Sequence, residues 1–524
     1  MAPLKFTFLT DVHYYSPNLG VEGKAYELEN SKNQKLLKNS GKAIASAFGA
    51  IAQDKTNDIV LINGDLTNNG EYESHREIIE MLRFLRQTGK RIFVTTATHD
   101  FQEGDERAYR FEGDRKIGIP AAKRDELFEM YREFGPEQAL SVHRESMSYS
   151  AELDSEYLLL ALNDDKNGKG QSGYSDELFD WIIRQTDYAK SHGQTVITMT
   201  HHPLIAPSAF YAVIGKNDMM GEHEKRLRQL SEMGIGFVFT GHSHIHNISY
   251  KRFEDSMIFD ISTSALAGFP GLYRVVTIDA QKNEMTIHSQ KVEGFDDEFS
   301  DQFFGMIRRV INAAADDIDD FAQKAEAFSV KKKFTYRYGW MIKPLAKLIR
   351  KIRISTVCRL CRKESGLTKE EIKALKDSKV MDLVIDMAMN LYKGDGRFYP
   401  DTAEYKAAMG FAAVIDSFLE TIKMPIGKFL KGIDSVCDVF EPLLYKKGIP
   451  DGDAVLPINA DKTFAESLYP SAQRIKSKKG AGILIILILI VLILLPFVPL
   501  IAVLFGISAL INYIKFYKKI KELN

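Results

Sequence analysis

The sequence predicts a mixed α/β fold. Two observations predict it. Short β-branched and aromatic runs recur through the first 295 residues, and several of them end directly in His or Asp. Between them lie helical stretches with apolar residues at 3.6-residue spacing, which bury one face against a sheet. From about residue 296 the pattern turns helical, and the chain closes on an uncharged run.

Five strands carry the first argument. LKFTFLT (4–10) leads into Asp11-Val12-His13, and DIVLIN (58–63) into Gly64-Asp65. RIFVTT (91–96) leads into Ala97-Thr98-His99-Asp100. TVITMT (195–200) leads into His201-His202, and IGFVFT (235–240) into Gly241-His242-Ser243-His244. Strands of one packed sheet end along a common edge, so residues distant in sequence can converge there. One such segment arises by chance; a histidine after a strand is usually a satisfied loop residue. Here six of the twelve histidines sit in the five segments. Convergent His and Asp are the donor set for a pair of divalent cations.

The order Asp-x-His, Gly-Asp, His-Asp, His-His-Pro, Gly-His-x-His resembles the calcineurin-like metallophosphoesterase superfamily over roughly residues 1–295. The stretch GDLTNNGEYESH (64–75) is similar to a bacterial branch of it. The resemblance implies a two-sheet sandwich and a dinuclear site holding Mn, Fe, Zn or similar ions. It implies Asp11, His13 and His244 around one ion, His201 and His242 around the other, and Asp65 as the bridge. It implies that His99 serves the transition state or the leaving oxygen, with Asp100 orienting its ring, and that His202 contacts substrate or supports the ligands. The reaction implied is in-line attack of a metal-bound hydroxide on a phosphoester. This chain departs from the family at Thr98, where an Asn carbonyl normally ligates the second ion. A Thr hydroxyl is a weaker, shorter-reaching ligand. Asn163, after YLLLAL (157–162), is one candidate substitute; the alternative is a site with one protein ligand fewer.

Helices are expected at 74–87 and 175–192, capped by Ser74 and Ser175. Further strands are expected at 257–262, 273–279 and 284–290, and helices at 297–328, 405–424 and 426–444, with 448–457 a loop. The 524 residues suggest about three domains, placed at 1–295 (catalytic), 296–470 (helical) and 471–524 (membrane anchor). Three cysteines exclude a disulfide scaffold, and Cys358-x-x-Cys361 has no second pair to make a zinc knuckle.

The net charge of −1 hides segregation: residues 331–363 hold twelve Lys or Arg and no Asp or Glu. Aromatic residues interleave the cations, a mixture that suits an anionic lipid surface, and equally RNA or a solvated face. The tail favours lipid, and no nucleic acid is expected. Residues 480–511 are thirty-two uncharged residues. A single helix of that length would be about 48 Å long, against about 30 Å of hydrocarbon. Pro496 and Pro499 divide it, and both flanks are basic. A hairpin puts both flanks on the cytoplasmic side but leaves irregular backbone in lipid unless an oligomer covers it; the alternative is a kinked, tilted span. No secretory leader precedes the first strand, so the catalytic region is expected on the cytoplasmic face of the cell membrane. The expected function is hydrolysis of a phosphodiester or lipid-linked phosphate. The alternatives are a membrane-bound scaffold with an impaired site and a tethered cyclic-nucleotide phosphodiesterase.

Overall fold

A computed structural model describes residues 3–102, 107–165, 172–208, 211, 218–254, 256–324, 332–395, 398–421, 434–445, 448–460 and 464. The strands, in chain order, are β1 (Leu4–Thr10), β2 (Ile59–Asn63), β3 (Arg91–Thr95), β4 (Tyr109–Glu112) and β5 (Arg115–Gly118). Then come β6 (Ser141–His143), β7 (Ser148–Glu152), β8 (Tyr157–Leu162), β9 (Thr195–Thr200) and β10 (Phe237–Thr240). The last are β11 (Asn247–Arg252), β12 (Met257–Ser262), β13 (Leu272–Asp279), β14 (Glu284–Lys291) and β15 (Ala454–Pro457).

They build one sheet in the order β15-β14-β13-β1-β2-β3 and a second in the order β11-β12-β10-β9-β8-β7-β6, with β4-β5 a separate hairpin. The centres are parallel: β1, β2 and β3 in the first sheet, and β8, β9, β10 and β12 in the second. Parallel strands point their C-terminal ends the same way, and those ends carry the site.

Alternation of side chains sorts the core. Phe6, Phe8, Leu61 and Phe93 of the first sheet face Leu159, Met199, Phe239 and Phe259 of the second. The intervening positions face outward. Leu9, Val60, Ile62 and Val94 pack under helices Ser40–Gln53 and Tyr72–Gln87. Leu158, Leu160 and Val238 pack under helices Asp176–Ser191 and His223–Glu232. Each large apolar side chain so buried contributes roughly 1.5–3 kcal/mol. Strands covered on both sides read as continuous apolar runs, which is why they were legible.

Ser175 caps its helix, accepting the Leu178 N–H. Ser74 does not cap. That helix starts at Tyr72 behind Glu71, and the Ser74 hydroxyl accepts the Ser16 N–H instead. The helical region begins with Asp296–Asp316 and Ile318–Lys324, followed by Lys332–Ile349. Cys358 and Cys361 are buried thiols among its apolar residues. Helices Val380–Lys393, Ala403–Thr421 and Val436–Leu444 complete it.

The expected loop 448–457 is corrected: its last four residues are β15, pairing antiparallel with β14. Asp451 anchors the return, accepting N–H bonds from Ile248 and Asp395. Arg274, fully buried, donates to the carbonyls of Asp451, Gly452 and Ser262. Among the described residues no helix is long and apolar enough to cross a membrane, and the run 480–511 lies outside them.

Candidate metal centre

The C-terminal ends of β1, β2, β3, β9 and β10 deliver the residues. Backbone shape does part of the work. Asp11, His13, Asp65, His242 and His244 all have φ between 47° and 61°. Non-glycine residues rarely adopt this left-handed region, and it costs about 1–3 kcal/mol where it occurs. Each sharp turn aims a side chain across the strand end rather than along it. Close approach fixes the neighbours as glycine. A Cβ on Gly241 would lie 2.1 Å from Thr10 Oγ1, and one on Gly64 would lie 2.6 Å from His201 Nδ1.

Two groups form, each with its donor atoms within 4.8 Å of one another: Asp11, His13 and His244, and Asp65, His201 and His242. In the first, the Nε2 atoms of His13 and His244 are 2.9 Å apart, with Asp11 Oδ1 3.5 Å from one and 3.2 Å from the other. In the second, Asp65 Oδ2 lies 3.2 Å from His201 Nε2. The same oxygen lies 3.9 Å from His13 Nε2, between the groups.

Backbone carbonyls set the rings: His13 Nδ1 lies 3.3 Å from the Thr67 carbonyl, and His201 Nδ1 lies 2.9 Å from that of Asn63. That leaves each Nε2 for the site. The Asp11 carboxylate is held by the Thr10 hydroxyl and the His242 N–H, both on Oδ2. Its Oδ1 has no hydrogen-bond partner, and neither has His201 Nε2, although both are buried. Buried polar atoms left without a partner, one in each group, fit a site built for cations. The charges agree. Burial opposes ionisation of Asp11 and Asp65, yet the imidazoles around them hold both carboxyls well below their usual range. Burial works against a charged His201 too, but Asp65 and Asp11 lift it to about 10. The carboxylates thus demand positive charge between them, and the residues present fit two divalent cations.

His99 donates its backbone N–H to Asp65 Oδ1, and its Nδ1 lies 2.6 Å from the Asn68 carbonyl. Asp100 does not orient that ring, contrary to expectation. Its oxygens accept the N–H groups of Thr67 and Ala97, tying the loops after β2 and β3 together. Asn163 is also corrected. Its amide donates to Thr96 and accepts the Asp165 N–H, so it is spent on the loop and does not reach the second group. Thr98 presents its carbonyl to Arg107, and the second group keeps three side chains. His202 lies beside His242, ring centroids 4.1 Å apart, with Nδ1 on the Asp164 carboxylate at 2.8 Å.

Residues 4–246 match the family model for calcineurin-like phosphoesterases. The chain carries a calcineurin-like phosphoesterase domain. It is a hydrolase of phosphoester bonds. Among solved structures, a dimetal phosphatase from Danio rerio is 12% identical, covering 56% of this chain and 97% of that one at a TM-score of 0.40. A purple acid phosphatase from yellow lupin (Lupinus luteus) seeds is 12% identical, covering 56% of this chain and 52% of that one at 0.36. A predicted phosphoesterase from Streptococcus pneumoniae is 12% identical, covering 56% and 92% at 0.22. At these scores the likenesses stand as similarity alone. No curated protein sequence matches the chain.

The phosphoesterase site also holds residues that motif reading missed. Asp164 follows β8 and was open to the same strand-end rule that found the others. Lys35 was not: it is one of four lysines between residues 32 and 42, set in a loop, bridged to Gly268 and only 7% exposed. Burial pushes its ammonium down to about 8, against the pull of Asp65 and Asp11.

Proposed function

We propose that this chain is a membrane-anchored, bacterial-type metallophosphoesterase that cleaves a phosphodiester or a lipid-linked phosphate at the cytoplasmic face. The observation that carries the chemistry is Asp65 Oδ2 between His13 of one donor group and His201 of the other. Manganese, iron and zinc all suit such imidazole and carboxylate donors. When bound, two such ions neutralise the anionic ester and acidify water.

The chain's own residues do the rest. Asp65 ties the two groups together and, through Oδ1, seats the His99 backbone. The Asn68 carbonyl occupies His99 Nδ1, so Nε2 is the ring atom left to meet the leaving oxygen. Asp100 locks the two loops whose spacing sets Asp65 against His99. Asp164 fixes the His202 ring beside His242 of the second group. The uncharged run 480–511 with its basic flanks supports the anchor.

The test is hydrolysis by the purified full chain with Mn²⁺, Fe²⁺ or Zn²⁺ against monoesters, diesters, cyclic nucleotides and phospholipids. Metal-dependent turnover of a diester or phospholipid, lost on chelation, is expected. Turnover of monoesters alone, or turnover indifferent to chelation, would refute the reading.

A further inference from the structure

The helix Lys332–Ile349 has two faces. Thr335, Ile342 and Ala346 are buried, and Gly339 sits so close to Ile318 that a Cβ there would lie 2.8 Å from its Cγ1. That face packs on helices Asp296–Asp316 and Ile318–Lys324. Positions 332, 336, 340, 343 and 347 are spaced by four, four, three and four, so they form a second stripe, about 100° round the helix. This stripe holds Lys332, Tyr336, Trp340, Lys343 and Lys347. Trp340 is 77% exposed and Tyr336 53%, and Trp340 is the most exposed large apolar side chain among the described residues. Arg350, past the helix end, turns inward and pairs with Asp316, so it belongs to the packed side.

We infer that the Tyr336–Trp340 stripe is a docking face for an anionic lipid surface. Its composition selects that partner. Indole and phenol rings settle at headgroup depth, and lysines beside them meet lipid phosphates. A solvated helix has no reason to expose Trp on its basic stripe. No acidic residue lies in 331–363, and the acidic neighbour that Lys343 and Lys347 feel, Asp316, is paired with Arg350. The apolar run 480–511 brings a bilayer within reach of the same chain. The inference rests on the membrane reading above, but it is a separate claim: the run holds the protein to lipid, and the stripe sets how the catalytic body lies on it.

The chain has two tryptophans, and they make the test. Trp181 is buried, with its Nε1–H on Ser141. In a Trp181→Phe full chain, Trp340 is the sole reporter. Reconstituted into phosphatidylglycerol vesicles, its emission should shift to the blue; in phosphatidylcholine it should not. The shift should collapse at 1 M salt, where the Debye length is about 3 Å. Each lysine at the surface is worth a factor of about five. Lys343→Glu with Lys347→Glu should therefore lower the docked-to-undocked ratio about 25-fold or more. If Trp181→Phe fails to fold, brominated phosphatidylglycerol should quench the exposed tryptophan of the unaltered chain and spare the buried one. Equal emission on both lipids overturns the proposal. So does emission already blue-shifted before lipid is added, which would mean that another segment or a second copy covers the face. Flotation with neutral vesicles reports the 480–511 anchor separately, so failure of the anchor and failure of the face are distinguishable.

Discussion

Asp65 and His201 meet at 3.2 Å across the gap between the two sheets, one residue from the end of β2 and the other from the end of β9. Neither sheet alone holds a complete donor set, so the sandwich itself assembles the metal centre. Asp65 also reaches toward His13 at 3.9 Å. Removing its carboxylate takes a shared ligand from both groups at once. Asp65→Ala should therefore fall from about two bound divalent ions to near none. Elemental analysis of the purified protein decides it; full metal content with unimpaired hydrolysis would show that Asp65 does not bridge.

Thr98 and His99 are neighbours with separable roles. The second group keeps three side chains, Asp65, His201 and His242, and lacks the amide its family usually supplies. Thr98→Asn should restore a carbonyl ligand and lower the metal concentration needed for half-maximal rate. His99→Ala should leave metal content intact and cut kcat by about 10²–10⁴. Metal titration of activity, run on both variants, separates them. An unchanged titration for Thr98→Asn would mean that another group already fills that position.

Much of this was legible because buried parallel strands write themselves as apolar runs, with the ligands directly after them. A residue's place just past a strand end could be named; the use its side chain finds beyond the turn could not. Asp100 and Asn163 both stand at strand ends, yet their polar atoms go to loop N–H groups and carbonyls, a choice made by tertiary packing. Ser74 precedes a good helical pattern, but Glu71 and Tyr72 start the helix a turn earlier. β15 is four residues long and amid Gly, Pro and Asp, so no periodicity marks it. Its pairing is set by Asp451 and Arg274, 177 residues apart. Lys35 carried no local signal at all.

That distant pairing is testable. Asp451 is buried and accepts N–H bonds from Ile248 and Asp395, so it joins the strand after His246 to the end of helix Val380–Lys393. Asp451→Ala would orphan the buried Ile248 N–H, costing about 1–3 kcal/mol, and would release the part-buried Asp395 N–H to water. We expect a loss of about 1–3 kcal/mol in urea unfolding. A loss within the ±0.5 kcal/mol or so of an ordinary surface substitution would mean that residues 448–460 lie on the catalytic sheet without supporting it.

His75 predicts the acid limit of the fold. Its ring is buried between the Tyr131 hydroxyl at 2.7 Å and the Asp100 carbonyl at 2.8 Å, under the loop that carries His99. Burial, only partly offset by the Asp100 carbonyl, holds its pKa down to about 4. An unfolded chain titrates this ring near pH 6.5, so between about 6.5 and 4 the unfolded state takes a proton that the folded state refuses. The neutral ring's contribution is therefore complete above about pH 6.5 and is lost as pH falls toward 4. Over that window the folded state should lose up to about 3 kcal/mol from this one group. His75→Gln cannot titrate there. It should be less stable at pH 7.5, because it packs and bonds less well, but its stability should fall less steeply from pH 6.5 to 4.5. Parallel urea unfolding curves across that range make the comparison, and equal slopes for the two proteins would assign the acid sensitivity elsewhere.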